Sequence, residues 1–362
     1  MNQCTVFKIV VVLILLGSYP GVSYGQPGPD DPGHYLYVCN QGAATVSVID
    51  LETHEIAARI DLQELGFSPN AKPHHAVVEP DGSHWYVSLI GENLILKFNH
   101  RNELVGRTEM EVPGLLAIHP TKDELYVARS MMAMNPPQSF AIIRRSDMEH
   151  TEEVETFFPR PHGITIHPNG KWVFVASLAE NQMVSIDLES LDSELTMFPG
   201  DTHVFVDFGL SPDGNTLVIT GQISGQLLVL DTSNPASPEL IETIQINPQP
   251  WRPIFSPDGK RLYVPNKESN TVTVIDMTQH VVEAVIEGKG LAQPHGSAIS
   301  PDGKWLYISN NNLRAMPDMD QHNHDAGPPG YLVVIDTETL SIDKVIEVET
   351  YSTGIGTRAR QK

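Results

Sequence analysis

The sequence predicts an all-β protein folded as a seven-bladed β-propeller. Three observations carry that reading: a turn that recurs at the length of one blade, a strand order repeated around each turn, and a first repeat lacking a strand that the C-terminal segment can supply. Pro80-Asp81-Gly82 recurs as Pro168-Asn169-Gly170, Pro212-Asp213-Gly214, Pro257-Asp258-Gly259 and Pro301-Asp302-Gly303, with Pro120-Thr121-Lys122 in the remaining slot. Successive copies lie 40 to 48 residues apart, the span of one four-stranded blade.

Within each copy an apolar inner strand leads into the turn, where proline presets φ and Asp-Gly or Asn-Gly supplies the reversal. An aromatic and β-branched second strand follows, as in Trp85-Tyr86-Val87, Leu125-Tyr126-Val127, Trp172-Val173-Phe174, Leu262-Tyr263-Val264 and Trp305-Leu306-Tyr307. After a polar loop, a third strand ends in Ile-Asp or a close variant: Val48-Ile49-Asp50, Ser185-Ile186-Asp187, Val229-Leu230-Asp231, Val274-Ile275-Asp276 and Val334-Ile335-Asp336. A fourth, outer strand closes the unit. The first repeat opens at Tyr35-Leu36-Tyr37-Val38, a second strand with no inner partner, and Tyr351 to Thr357 follows the last outer strand. That segment is expected to complete the first blade and close the ring, which leaves only short, protected sheet edges. No stretch has the periodicity of an amphipathic helix.

At the N-terminus Lys8 precedes an apolar run from Ile9 to Leu16 and a small-residue stretch, Gly21-Val22-Ser23-Tyr24-Gly25. This is the order of a secretory signal, and the run is too short for an ordinary membrane span; a retained membrane anchor is the alternative reading. The expected organisation is a signal peptide over 1–25, a linker over 26–33 and the propeller over 34–362. Cleavage leaves Cys39 alone, a small buried thiol that can form no intramolecular disulfide. No Asn-x-Ser/Thr acceptor is present. The chain is therefore expected to be secreted or periplasmic, of bacterial type. A net charge of −22 argues against nucleic acid and anionic membrane as partners and favours cations or cationic partners, with solubility alone as the other reading of that charge.

Tyr37-Val38-Cys39-Asn40, Tyr263-Val264-Pro265-Asn266 and Tyr307-Ile308-Ser309-Asn310, with the Ser-Pro-Asp-Gly turns, resemble the signature of the YVTN-repeat propellers. The resemblance covers essentially the whole mature chain. It implies the fold and leaves the function open, because such propellers host unrelated roles.

Aligning the repeats on the turn proline and stepping six positions upstream gives His74, Gly114, His162, Val206, Trp251 and His295. These positions start the inner strands, so their side chains are expected at the mouth of the central channel. His74, His162 and His295 fall in blades two, four and seven, spread almost evenly around the axis; His75 adjoins the first and His203 lies in the loop before its strand. Imidazoles converging in this way suit copper, zinc, iron or nickel. Two loops on the same face add thioethers and imidazoles: Met131-Met132-Ala133-Met134, and an insertion from Met316 to Asp325 that holds Met319, His322 and His324. That mixture favours copper, Cu(I) especially, if the Met/His insertion is a ligand set; the other reading of the insertion is a flexible loop. The candidate metal ligands are therefore His74, His75, His162, His203, His295, His322, His324, Met316 and Met319.

The histidine pattern also partly resembles the copper-cluster propeller of nitrous oxide reductase, with His74, His75, His162 and His295 at matching inner-strand positions. Gly114 and Trp251 break that pattern and its electron-transfer copper domain is absent, so nitrous oxide reduction is not expected. The imidazole ring has two further readings, a hydrated structural ring and a site for an organic ligand. His119 and His167, just before their turns, are expected to be solvated on the opposite face. The leading functional expectation is a metal-binding propeller, with copper as the ion. The alternative is a non-catalytic scaffold for a protein or cell-surface partner. A lactonase-type hydrolase is disfavoured, since such an enzyme needs carboxylate and Asn ligands for a hard cation where this chain offers imidazoles.

Overall fold

The computed structural model describes residues 34–133, 135–315 and 327–358. Seven four-stranded antiparallel sheets form the blades of a β-propeller. The one helical turn among the described residues is the 3-10 segment Leu313–Ala315, and no helix there is long and apolar enough to cross a membrane.

Blades two to seven each run inner strand to outer strand in chain order. Blade one is split. Its inner strand, Ser352–Thr357, pairs antiparallel with Tyr35–Asn40, and Leu36 faces Thr357, Tyr37 faces Gly356 and Val38 faces Ile355. The closing strand expected from the sequence is thus the one observed. It runs tight against the inner strand of blade two: a Cβ at Gly354 would collide with the His74 carbonyl, and one at Gly356 with the Ala76 carbonyl.

The core is divided among the blade interfaces. Seven buried apolar clusters each join two successive blades, including one that joins blade seven back to blade one through Tyr307, Leu332, Leu36 and Ile355. Between blades one and two, Tyr37 stacks on Trp85 and Trp85 on Phe98, each pair with ring centroids 4.3 Å apart. Such offset aromatic contacts add to the burial of large apolar area. Cys39 is fully buried in the same cluster, and burial pushes its thiol pKa far up. The asparagine of the Tyr-Val-x-Asn segments has a structural role: Asn40 donates to Thr45 and Ser47, and Asn266 to Thr271 and Thr273, tying the second strand to the third.

His119 and His167 correct the sequence expectation. Both are buried, not solvated. His119 Nε2–H donates to the Gly170 carbonyl at 2.8 Å, and its Nδ1 accepts the N–H groups of Thr121 and Lys122. His167 Nε2–H donates to the Gly214 carbonyl at 3.1 Å, and Nδ1 accepts from Asn169. Each ring fastens its own turn to the turn of the next blade, and a buried peptide carbonyl that gains a partner avoids a desolvation cost of about 1–3 kcal/mol.

Replacement Gly356→Ala would force the closing strand away from blade two. It is expected to destabilise the protein by about 1–3 kcal/mol, the usual cost of overpacking, measured as a lower urea midpoint at an unchanged slope.

Candidate functional site at the channel mouth

The chain enters every inner strand through the same backbone device. A left-handed residue marks that entry in all seven blades: Lys72, Val112, Arg160, Val204, Gln293 and Tyr351 just before the strand, and Gln249 just before the bridged Pro250 of blade six, at 45° to 57°. This conformation costs a non-glycine residue roughly 1–2 kcal/mol. Its carbonyl is held each time by an N–H from the end of the second strand, at 2.8–3.2 Å, with Gln41, Ile90, Ser130, Leu178, Gln222, Lys267 and Asn311 as donors. Register shifts follow at the start of the inner strands, at Pro73/His75, Pro113/Leu116, Pro161/Gly163, Phe205/Phe208 and Pro294/Ser297. Bulges of this kind re-aim side chains. In blade six Pro250 and Pro253 carry no N–H, and only Ile254–Phe255 is regular strand, joined by a bridge from Pro250 to Asn266.

The outcome is a tier of side chains across the axis. The ring centroids of His74 and His162 are 6.5 Å apart and those of His74 and His295 6.4 Å, and Trp251 lies 4.7 Å from His295. All three imidazoles are buried, around a cavity of about 20 Å³, room for one water-sized occupant. His74 Nδ1–H donates to Gln41 Oε1 at 3.4 Å, and His162 Nδ1–H to the Arg129 carbonyl at 2.8 Å. With their protons committed there, both rings present a bare Nε2. His74 Nε2 and His295 Nδ1 are buried without a partner.

Charge at the tier is positive. Lys267 lies over the Trp251 ring, 4.6 Å from its centroid, and burial lowers its pKa to about 8. Burial, with His162 and Lys267, holds His74 down at about 3. Burial holds His162 at about 4, partly offset by its bond to Arg129. Burial and Lys267 hold His295 well below the usual imidazole range. All three rings are neutral at pH 7.

One residue further along the inner strands lies a second tier. His75 Nδ1 accepts the Leu116 N–H, and its Nε2 meets Arg252 Nη1. Arg252 Nε in turn stands 3.7 Å from Asp207 Oδ2. Burial raises the Asp207 pKa, and Arg252 opposes that rise. Both nitrogens of His75 are taken by protein groups, so it belongs to this chain of contacts rather than to the open imidazoles.

The structure therefore brings together His74, His162 and His295, with His75 one layer below. It does not bring in His203, which stacks on Phe205, accepts from Ser224 and donates to the Pro199 carbonyl. Met131 packs beside Trp251, Val206 and Leu178 at the mouth, whereas Met132 is exposed. Met134, Met316, Met319, His322 and His324 lie outside the described residues. No group of three or more His, Cys, Asp or Glu side chains among the described residues stands close enough to enclose one metal ion. Sequence reasoning missed Gln41, Lys267, Asp207 and Arg252. The last two lie one position beyond Val206 and Trp251 in the aligned column, in register with His75, and reading that adjacent column would have found them.

No family model and no curated protein matches this sequence. Solved structures do match as folds. A protein of Desulfotomaculum acetoxidans described as functionally unknown superposes with a TM-score of 0.72 at 17% identity, over 91% of this chain and 100% of that one. Hydrazine synthase of Kuenenia stuttgartiensis gives 0.60 at 22% identity, over 74% and 77%. The dihydro-heme d1 dehydrogenase NirN, in complex with DHE, gives 0.61 at 13% identity, over 93% and 78%. At these identities the likeness is one of fold. The chain is a seven-bladed propeller with a histidine tier across its axis.

The buried imidazoles tie stability to pH. The folded pKa values of about 3 and 4 for His74 and His162 lie below the ordinary 6.5, so below pH 6.5 the unfolded chain binds more protons. The metal-free protein is fully stabilised above pH 6.5 and loses stability on acidification through a window that runs from 6.5 to about 4 for His162 and to about 3 for His74. At pH 5 the loss is expected to be about 2 kcal/mol for each of these two rings, read from urea unfolding across that range; in a His74→Phe variant the slope should be shallower.

Proposed function

We propose that the protein is a copper-binding propeller, with Cu(I) held at the channel mouth between His74 Nε2 and His162 Nε2 and with His295 standing beside that pair. The observation that carries this reading is the pair of buried, neutral imidazoles, His74 and His162, whose Nδ1 atoms are committed to Gln41 and Arg129 and leave Nε2 free to bind. That arrangement, a ring oriented by a carbonyl behind it, is how histidines are prepared for a metal.

Spacing and charge both favour the monovalent ion. Two imidazoles on opposite sides of one ion, with bonds of about 2.0 Å, have centroids roughly 6.3 Å apart. His74 stands 6.5 Å from His162 and 6.4 Å from His295. A closed trigonal set of three would need spacings of roughly 5.5 Å. Lys267 and Arg252 also penalise a second positive charge, since in a desolvated site repulsion grows steeply with charge. Bound copper would supply a one-electron centre, and the chain's own residues orient the imidazoles, exclude water and keep protons off the ligands. We further infer, from the Tyr-Val-x-Asn segments and their asparagine ties, membership of the YVTN-repeat propellers. A secreted or periplasmic location fits the signal-like first 25 residues.

Elemental mass spectrometry on untagged protein offered equimolar copper, zinc and iron tests the proposal. Near-stoichiometric copper is expected, and anaerobic competition with a Cu(I) chelator should show His74→Ala or His162→Ala weakened by about 100-fold or more, beyond the loss of a contact behind a ligand. His203→Ala should bind as the parent does. Protein recovered without copper, or copper retained by both variants, overturns the reading. Lys267→Met, which keeps the packing on Trp251 and removes the charge, should bind Cu(I) more tightly in the same competition.

A further inference from the structure

Below the second tier the channel widens into a chamber of about 540 Å³, within the range of small-molecule pockets. Its wall is built from the far halves of the inner strands, with the half-buried Val78, Ile118, Ile166 and Ile254 among its lining residues. Pro212, Pro257 and Pro301 line its outer end, so it opens on the face that carries the recurrent turns. It thus lies on the opposite side of the second tier from the histidines of the mouth.

Its charged lining consists of Asp207, Arg252 and Arg358. Two cations against one carboxylate make the chamber locally positive in a protein of net charge −22. Arg252 occupies the inner end. Its Nη1 meets His75 and its Nε lies near Asp207. Its Nη2 has no protein partner among the described residues, and the side chain remains 27% exposed although it lies on the axis. Ser297, which also lines the chamber, is committed elsewhere, since its Oγ donates to the Arg252 carbonyl. An apolar wall ending in one guanidinium with a free donor suits a ligand that is apolar along its body and carries one carboxylate at its tip.

We propose that this chamber is a binding site for a medium-chain carboxylate, with the acyl chain along the inner strands and the carboxylate on Arg252 Nη2. Asp207 tempers the site: it takes part of the guanidinium's charge and limits the ligand to a single anionic group. The chamber shares no ligand residue with the copper proposal, so either can fail without the other.

The test compares octanoate, 1-octanol and octylammonium by isothermal titration calorimetry on the full mature protein. Octanoate should bind about tenfold or more tightly than 1-octanol, the worth of one hydrogen bond to a charged group, and octylammonium should bind more weakly still. Arg252→Leu should erase the preference for octanoate over 1-octanol. Thr165→Trp, a half-buried wall position away from Arg252, should fill the chamber and abolish binding of all three, with folding checked by circular dichroism. Equal affinity for the three probes, no binding of octanoate, or octanoate binding that survives Thr165→Trp overturns the proposal. Should Arg252→Leu fail to fold, the three-probe comparison on the parent protein decides.

Discussion

Everything on the axis of this protein depends on one strand pairing, that of Ser352–Thr357 with Tyr35–Asn40. The two segments are some 320 residues apart in the chain, and each residue-to-residue bond between them is ordinary. Their consequence is that the apolar cluster between blades seven and one can form at all. A ring of sheets with one open interface would expose that cluster and splay the inner strands. Closure also sets the spacing at the mouth, because Gly354 and Gly356 allow the last strand to lie directly against the backbone that carries His74.

Given a closed ring, the left-handed residue before each inner strand becomes the device that aims side chains. A single such residue is a modest strain; seven in one ring, each carbonyl held by an N–H from a neighbouring strand, form a collar. The collar and the bulges after it turn His74, His162, Trp251 and His295 across the axis. The same donors place Gln41 beside His74 and Lys267 over Trp251. The surroundings of the imidazoles are thus produced by the element that orients them.

The channel is graded along its length. At the mouth, desolvation keeps the imidazoles neutral and their nitrogens bare. In the middle, Asp207, Arg252 and His75 span it as a chain of polar contacts from blades five, six and two. Beyond them the wall is mainly aliphatic, with the hydroxyls of Thr165, Ser297, Ser300 and Thr357 among its lining residues. A buried charge is tolerable when it is paired, and the middle tier satisfies that requirement by joining the successive blades five and six to blade two across the axis. It also divides the axis into two compartments of opposite chemistry, one offering lone pairs and the other apolar surface with a single cation.

The blades, their turns, the missing strand of the first repeat and the column holding His74, His162 and His295 were legible in the sequence, because repetition writes the same local physics at fixed intervals. Proline and Asp-Gly set a turn wherever they occur, and alternation and β-branching set strands without knowledge of neighbours. Partners across the ring were not legible. His119 and His167 look like turn residues until the next blade is placed beside them and its glycine carbonyl proves to be their acceptor. His203, in the loop before its strand, looks like a further imidazole for the mouth until Ser224 and Pro199 occupy both of its nitrogens. Arg252 and Asp207 carry no motif at all. The sequence by itself determined the repeating unit and its number; only the tertiary structure decided which histidines are open and which charges are paired, because those properties depend on distances between blades that closure alone establishes.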